Sequence, residues 1–329
     1  MISQIDRLTQ KKKPRHDRLL LSIGDDAAAF LPNPGYVLLV SSDALIEGIH
    51  FERKWTSART LGWKSLAVNL SDIAAMGGVP LYVTTTLGLP ASITPRFITD
   101  FYRGLSELAS QFGVTVVGGD TCSSLRDLFI DITVIGQVRP REMLTRSKSK
   151  PGDLIFVTGR LGESAIGLDL LRTQSKISLE SRYVERHLRP MPRLAVARHI
   201  ASHRLATSMI DLSDGLSTDL NHICQQSRVG AIIEASSIPL PQLRSRVREW
   251  LPKSPLHYAL NGGEDYELLF TVSPAKRHLV PATIEGIEVS QIGIVTRRKE
   301  LFLTQGKQRT RRLSAAGFDH FNSSSLSPH

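Results

Sequence analysis

A chain of 329 residues with 41% hydrophobic and 22% charged side chains has a folded protein's composition and room for two ordinary domains, which excludes wholesale disorder. Its 41 Lys and Arg against 31 Asp and Glu give a net charge of +10, yet no apolar run approaches the roughly 18 residues of a membrane helix. Residues 1–15 lack the apolar core of a secretory signal. Two cysteines, Cys122 and Cys224, cannot build a disulfide framework or a four-cysteine zinc site. A reduced, cytoplasmic setting away from membranes is the expectation.

In chain order, the first chemistry-bearing segment is Ile-Gly-Asp-Asp-Ala, with Asp25 and Asp26 after a short apolar run. The β-branched run Tyr36–Ser41 predicts a strand, and Ser41-Ser42-Asp43 then sets a carboxylate beside hydroxyls at its end. Such a group suits a hard cation, and it equally suits a turn or a helix N-cap. A helix is predicted over Thr60–Met76, stopped by Gly77-Gly78 with Pro80 beyond. Asp72 falls inside its apolar stretch, three residues after Asn69. Burying a carboxylate without a partner is costly, so Asp72 has either a metal or a hydrogen-bonding neighbour. Strands follow at Leu81–Leu87, Val114–Val117 and Phe129–Val138, with a helix over Thr94–Phe112. Asp120 comes after Gly118-Gly119, where a ligand can approach the backbone closely.

The basic connector Arg139–Pro151 marks a boundary, giving an N-terminal domain over 1–148 and a C-terminal domain over 149–329. Strand and helix signals then alternate again: Leu154–Thr158, a helix from Glu163, a strand around Ser208–Leu212, a helix over Gly215–Gln226, and strands near Ala231–Glu234, Tyr266–Val272 and Ser290–Val295. Asp211-Leu-Ser213-Asp214-Gly215 brings two acids and a serine to a helix start, where free N–H groups suit phosphate and acids suit its metal. Asn261-Gly262-Gly263-Glu264-Asp265-Tyr266-Glu267 again sets glycines before acids. The Ser-rich tail from about residue 322 reads as disordered.

Charge is partitioned along this order. Segments 24–28, 41–50, 69–78, 118–124, 209–221 and 261–269 hold 12 of the 31 acids and none of the 41 Lys and Arg. Repeated carboxylates without His or Cys partners select Mg²⁺ or Mn²⁺ over zinc, and several hard cations together point to a polyphosphate. The familiar Walker, dinucleotide and zinc-protease motifs are absent from the sequence. From the residues alone, the reading is a metal-dependent enzyme acting on a phosphorylated substrate.

These motifs, joined by LGWKSLAVNLSDIAAMGGVP, MLTRSKSKPGD, VTGRLGESAIGL, HLRPMPR and GFDHF, resemble thiamine-monophosphate kinase, in the expected order from about Ile23 to Phe321. The resemblance implies an α/β (α+β) fold of two domains like aminoimidazole ribonucleotide synthetase. Its N-terminal mixed sheet dimerises, and its C-terminal α/β domain completes a substrate cleft. It implies transfer of the γ-phosphoryl of ATP, as co-substrate, to thiamine monophosphate with several Mg²⁺ ions, giving thiamine diphosphate, in a homodimer with no specific nucleic acid and no membrane. By position, Asp26, Ser41, Ser42, Asp43, Asp72, Asp120, Asp211 and Asp214 match metal ligands. Gly119, Asp120, Arg146, Ser213 and Tyr102 match the nucleotide side, and His50, Glu264 and Phe318 the thiamine monophosphate side. Asp120, Asp72 and Arg146 stand nearest the transferred phosphoryl. The chain departs from the family pattern at its start, MISQIDRLTQKKKPR, at Ala44, and at Cys122-Ser123. Aminoimidazole ribonucleotide synthetase is the alternative within the superfamily. Outside it, the alternative is a basic nucleic-acid-binding protein using Lys11–Lys13, Arg297–Lys299 and Lys307–Arg312.

Overall fold

Backbone pairing in the computed structural model, which describes residues 9, 18–23, 27–173, 182–243, 245–306 and 309–317, resolves the chain into two units. One is built on residues 1–73 and 78–141, the other on 74–77 and 142–327. Asp26, Phe318 and the tail from Asn322 lie outside the described residues. Among the described residues, no helix is long and apolar enough to cross a membrane.

The first unit is a four-stranded mixed sheet. Strands β3 (Val37–Ile46), β4 (Val79–Leu89), β5 (Thr115–Ser123) and β6 (Phe129–Val138) lie in the order β3-β6-β4-β5. Only the β4–β5 pair is parallel, and a parallel pair needs a crossover, here helix α2 (Pro95–Phe112). That helix is punctuated by its sequence. Thr94 caps it by accepting from Phe97 N–H, Pro95 opens it, and Gly113 at φ 70° closes it onto Ala109 O. Ile98, Phe101, Leu105 and Leu108 recur at three- and four-residue steps and are buried. Helix α1 (Ala58–Ala75) is apolar on most sides because most of its surface is covered; Leu61, Leu66, Leu70 and Ile73 are at most 1% exposed. The two helices cross where both carry glycine: a Cβ on Gly104 would meet Arg59 O at 1.7 Å.

Alternation along β6 assigns the two faces of this sheet. Ile130, Ile132 and Val134 are fully buried, and Gly136, next in that series, approaches Ile73 of α1. On the other face a short hairpin, β1 (Leu19–Leu21) with β2 (Ala29–Phe30), lays Phe30 against Tyr82 at 4.7 Å between ring centroids. Further along that face Leu38 and Val40 are 41% and 70% exposed.

Two strands run further than their sequence suggests. The reading from sequence ends the first at Ser41 and the third at Val117. In the structure β3 continues to Ile46, because all ten of its residues pair with the ten of β6. Likewise β5 runs through Gly118, Gly119 and Asp120 to Ser123 against β4. A neighbouring ladder satisfies backbone groups that low-propensity residues would otherwise leave unpaired. Ser41, Ser42, Asp43 and Asp120 are therefore strand residues, not residues of a loop at a strand's end.

The second unit carries a sheet in the order β14-β13-β9-β12-β7-β10-β8. Its strands are β7 (Leu154–Thr158), β8 (Ala206–Asp211), β9 (Gly230–Glu234), β10 (Leu268–Val272), β11 (Thr283–Ile284), β12 (Ile287–Thr296), β13 (Leu301–Gln305) and β14 (Arg309–Arg312), with β11 paired to β12 off the main path. All pairs are antiparallel except β9–β13. Helices α3 (Glu163–Arg172), α4 (Arg182–Leu188), α5 (Leu194–Ser202), α6 (Leu216–Ser227), α7 (Ser245–Trp250) and α8 (Pro255–Asn261) complete the unit. Ile155, Val157, Ile210, Leu216, Leu220, Ile233 and Leu269 share its core. The strand predicted from Tyr266 begins at Leu268, since Tyr266 has φ 50° and cannot extend the ladder. The connector is not free: Met209 N–H of β8 donates to Thr145 O at 3.0 Å, so the connector lies along that strand's outer edge.

Candidate active site

Each unit gathers its own group of acids. In the first, Ser41 and Asp43 alternate with Leu39 and Leu45, both buried, and so face α1. Ser41 Oγ donates to Asp72 Oδ2 in a short hydrogen bond. One turn earlier on α1, Asn69 Oδ1 accepts from Asp43 N–H at 3.0 Å while its amide donates to Ser65 O at 3.1 Å. Among the described residues strand β3 has a sheet partner on one side only, and Asn69, fully buried, accepts from a backbone donor that such an edge leaves outside the ladder. The spacing Asn69–Asp72 thus serves two strand residues from one helical face.

Ser42 points the other way. Its hydroxyl donates to Asp131 Oδ1 at 3.0 Å and lies 2.9 Å from Thr133 Oγ1. The structure joins Ser41 to Asp72, sets Asp43 on the same face of β3, and turns the Ser42 side chain away from them. Asp120 is exposed on β5, its Oδ1 accepting from Thr121 N–H at 2.7 Å. Register aligns it with Thr86, and Thr86 with Asp131. Gly119 before it has φ 155°, and a Cβ there would lie 2.0 Å from Thr85 O; β5 can close on β4 only with glycine at this position. His50, in the turn after β3, accepts from Ile46 N–H through Nδ1 at 3.0 Å, which places the neutral ring's proton on Nε2. Tyr102 does not join this group. It is 3% exposed, edge-on to Phe101, and burial pushes its hydroxyl up to about 12.

In the second unit, three glycine-bearing segments converge, residues 211–215, residues 261–267 and the segment at Gly317. Strand β8 ends at Asp211, 3% exposed. Glu264 N–H donates to Ser213 O at 2.7 Å, Tyr266 N–H to Leu212 O at 2.9 Å, and Leu212 N–H to Glu267 O at 2.8 Å. A Cβ on Gly263 would lie 2.5 Å from Ser213 O, and one on Gly215 would lie 2.9 Å from the Asn261 carbonyl carbon. The third segment enters through Gly317, whose N–H donates to Thr218 Oγ1 at 3.0 Å. A Cβ on Gly317 would lie 2.1 Å from Asp214 O. Glycines before acids are thus explained by backbone packed against backbone. Asp211, Ser213, Asp214 and Glu264 are brought together by it.

The carboxylates here are held at a cost. Asp219, in the first turn of α6, accepts from Asp214 N–H at 3.2 Å and Gly215 N–H at 3.0 Å. Burial, then the nearby Asp211 and Asp214, push its carboxyl up to about 8 in spite of those bonds. Donor atoms of Asp214, Asp219 and His222 lie within 4.8 Å of one another. Asp265 accepts from Gly162 and Ser164 N–H at the start of α3, and burial raises it to about 7. Glu267 is buried against Arg193, whose Nε donates to its Oε2 at 2.7 Å; Thr158 Oγ1 donates to the same oxygen at 2.6 Å. Arg146 is exposed beside β8, with its carbonyl accepting from Ser227 Oγ at 3.1 Å.

Sequence reasoning passed over Asp131, His187, Asp219 and His222. Asp219 had a legible signal, an acid in the first helical turn able to reach back to the preceding amides. Asp131 had none, because only strand register brings it to Ser42. The donor chemistry, carboxylate and hydroxyl oxygens with three acids sharing the 211–219 turn, suits Mg²⁺. A cation there would offset the burial cost and, after it, the repulsion from Asp211 and Asp214 that raise Asp219.

The chain matches two family models, AIR synthase related protein, N-terminal domain, over residues 24–138 and AIR synthase related protein, C-terminal domain, over residues 150–305. It is 36% identical over 317 residues to thiamine-monophosphate kinase of Bacillus subtilis (strain 168), covering 93% of this chain and 95% of that one. The structure is similar to that of thiamine-monophosphate kinase from Stenotrophomonas maltophilia K279a, with a TM-score of 0.80, 34% identity, and 92% and 95% of the two chains covered. It is also similar to AaThiL complexed with AMPPCP and TMP, with a TM-score of 0.75, 30% identity, and 94% and 95% covered. With both halves of one fold matched in order and kinases matched along nearly their whole length, the chain belongs to the thiamine-monophosphate kinase family.

Proposed function

We propose that this thiamine-phosphate kinase transfers the γ-phosphoryl of ATP directly and in line to the phosphate of thiamine monophosphate, giving thiamine diphosphate and ADP. The observation that carries the reading is the convergence of the Asp211–Gly215, Asn261–Glu267 and Gly317 segments, which packs two predicted metal ligands and a predicted substrate contact into one turn-against-turn unit. The relative solved with AMPPCP and TMP supports the same pair of substrates.

The chemistry follows from charge. A phosphate monoester has its second pKa near about 6 and is largely dianionic at neutral pH, so the acceptor needs no strong base. The obstacle is repulsion between two anionic phosphates, and catalysis is mostly positioning and electrostatic screening. Asp43 and Asp72, with Ser41, in the first unit and Asp211 and Asp214 in the second are the residues that would hold Mg²⁺, with Asp120 and Asp26 as further family positions. Bound Mg²⁺ supplies screening of the phosphate oxygens. Arg146, exposed beside β8, adds positive charge for the nucleotide, and Gly119 and Ser213 offer backbone and hydroxyl contacts. Ser42 takes part through its main chain, since its hydroxyl is engaged with Asp131. Glu264, His50 and Phe318 receive the thiamine portion, whose thiazolium is cationic; Phe318 would offer it an aromatic face. Tyr102 supports the core of α2 in this reading. The exposed Leu38 and Val40 on the sheet face of β3 support that face as the surface of a homodimer.

The test is ADP release with thiamine monophosphate, thiamine and an aminoimidazole precursor offered separately, with and without Mg²⁺. Release only with thiamine monophosphate and Mg²⁺ is expected, falling at least a hundredfold in Asp72→Asn and in Asp120→Asn. Full activity of both variants at saturating Mg²⁺ would remove the metal assignment, and release with the aminoimidazole precursor would replace the substrate.

A further inference from the structure

Glu264 is held in a manner that its own segment does not explain. Its backbone has φ 64°, a left-handed conformation that a non-glycine residue adopts at a cost. Its N–H is tied to Ser213 O, and the neighbouring Asp265 is bolted to the start of α3. The main chain is therefore fixed from both sides. The side chain is fixed from elsewhere. His187, at the end of α4 and 4% exposed, brings Nδ1 to 3.1 Å from Glu264 Oε2 and to 3.1 Å from Ser164 Oγ. Ser164 is 1% exposed, so imidazole and hydroxyl form a buried seat. A carboxylate only accepts, so the ring nitrogen facing it carries the proton. The Glu264 side chain remains 24% exposed, with one oxygen on the buried seat and the group still reaching solvent.

We infer that His187 is a positioning residue for Glu264, fixing the carboxylate in the orientation in which it receives the cationic portion of thiamine monophosphate. The inference rests on the proposed placement of Glu264 at that substrate. Its physical content is preorganisation. A glutamate loses several rotamers when it binds a ligand, and a carboxylate already held by a buried imidazole has lost them beforehand. The effect belongs to binding of one substrate and to neither the nucleotide nor the phosphoryl transfer.

Steady-state kinetics on the full-length enzyme tests it, with His187→Leu, His187→Asn, Glu264→Gln and the double variant His187→Leu/Glu264→Gln. His187→Leu is expected to raise KM for thiamine monophosphate about tenfold, equivalent to about 1.4 kcal/mol, with kcat and KM for ATP within about twofold. His187→Asn, whose amide nitrogen takes the place of Nδ1, should recover most of that loss. In the Glu264→Gln background, His187→Leu should add little. A thiamine monophosphate KM unchanged in His187→Leu but raised in Glu264→Gln overturns the inference alone. So does a loss in His187→Leu spread equally over kcat and both KM values, or one undiminished in the Glu264→Gln background. An unchanged KM in Glu264→Gln overturns the placement of Glu264 and the inference with it. Should His187→Leu fail to fold by circular dichroism, Ser164→Ala loosens the same seat and is read by the same criteria.

Discussion

Gly215→Ala probes the junction on which the second-unit site depends. Gly215 sits at φ 111° and ψ 151°, a region essentially closed to residues with a Cβ, and the added methyl would lie 2.9 Å from the Asn261 carbonyl carbon and 3.0 Å from Gly262 O. Both are backbone atoms and cannot swing aside. Backbone strain costs about 1–3 kcal/mol, and forcing atoms into a packed contact adds about 1–3 kcal/mol. At about 2–4 °C per kcal/mol for a unit of this size, a loss of about 4 kcal/mol lowers the melting temperature by roughly 8–16 °C. Gly152→Ala is the control. Gly152 also has positive φ, 96°, but nothing lies within 4 Å of its Cβ position, so only strain of about 2 kcal/mol applies and a drop of about 4–8 °C is expected. Differential scanning calorimetry on the two variants separates strain from clash. A Gly215→Ala enzyme that melts no lower than Gly152→Ala, with its KM for thiamine monophosphate intact, would refute the close packing of the two motif segments.

Three further outcomes follow from the geometry. Arg193→Met leaves Glu267 buried without its partner and should cost about 3–5 kcal/mol, while adding Glu267→Gln should recover much of it; urea denaturation of both variants is the check. Asp219 has its carboxyl raised from 3.8 to about 8, so the folded state keeps a proton the unfolded state has released. In chelator-treated enzyme, stability should therefore fall as pH climbs from about 4 to about 8 and then level off from this source. Asp219→Asn should flatten that slope in a melting series across pH, and an unchanged slope would exclude Asp219 as its source. Thr94→Ala removes the cap on Phe97 N–H and should lower stability by about 1 kcal/mol, read by thermal melting.

Much of this architecture was legible in the residues, and the remainder depended on partners. The two-domain α/β character came from strand and helix signals that hold in place: Phe129–Val138, Leu154–Thr158 and the capped helix ending at Gly113. Strand ends were missed where glycine and acid are carried along by a neighbouring ladder, as at Ser42-Asp43 and Gly119-Asp120. The second sheet's largely antiparallel pairing was equally invisible, since alternation of strands and helices suggests parallel crossovers. At the site, the glycine before Glu264 was legible as a point of close approach, and Gly263 does pack against Ser213 O. The opposite facing of Ser41 and Ser42 needed the strand's true length. His187 lies far along the chain from Glu264, and only tertiary packing brings them together.

The connector along β8 also has a bearing on how the second unit can be handled in isolation. An uncovered strand edge is a template for intermolecular pairing. Thr145 occupies that edge at Met209, Ser149 Oγ lies 2.8 Å from Thr271 Oγ1, and Lys150 N–H donates to Asp153 Oδ2. A fragment begun at Leu154, where the first strand of that sheet starts, would strip away the cover and should aggregate. One begun at Glu142 keeps its own edge guard.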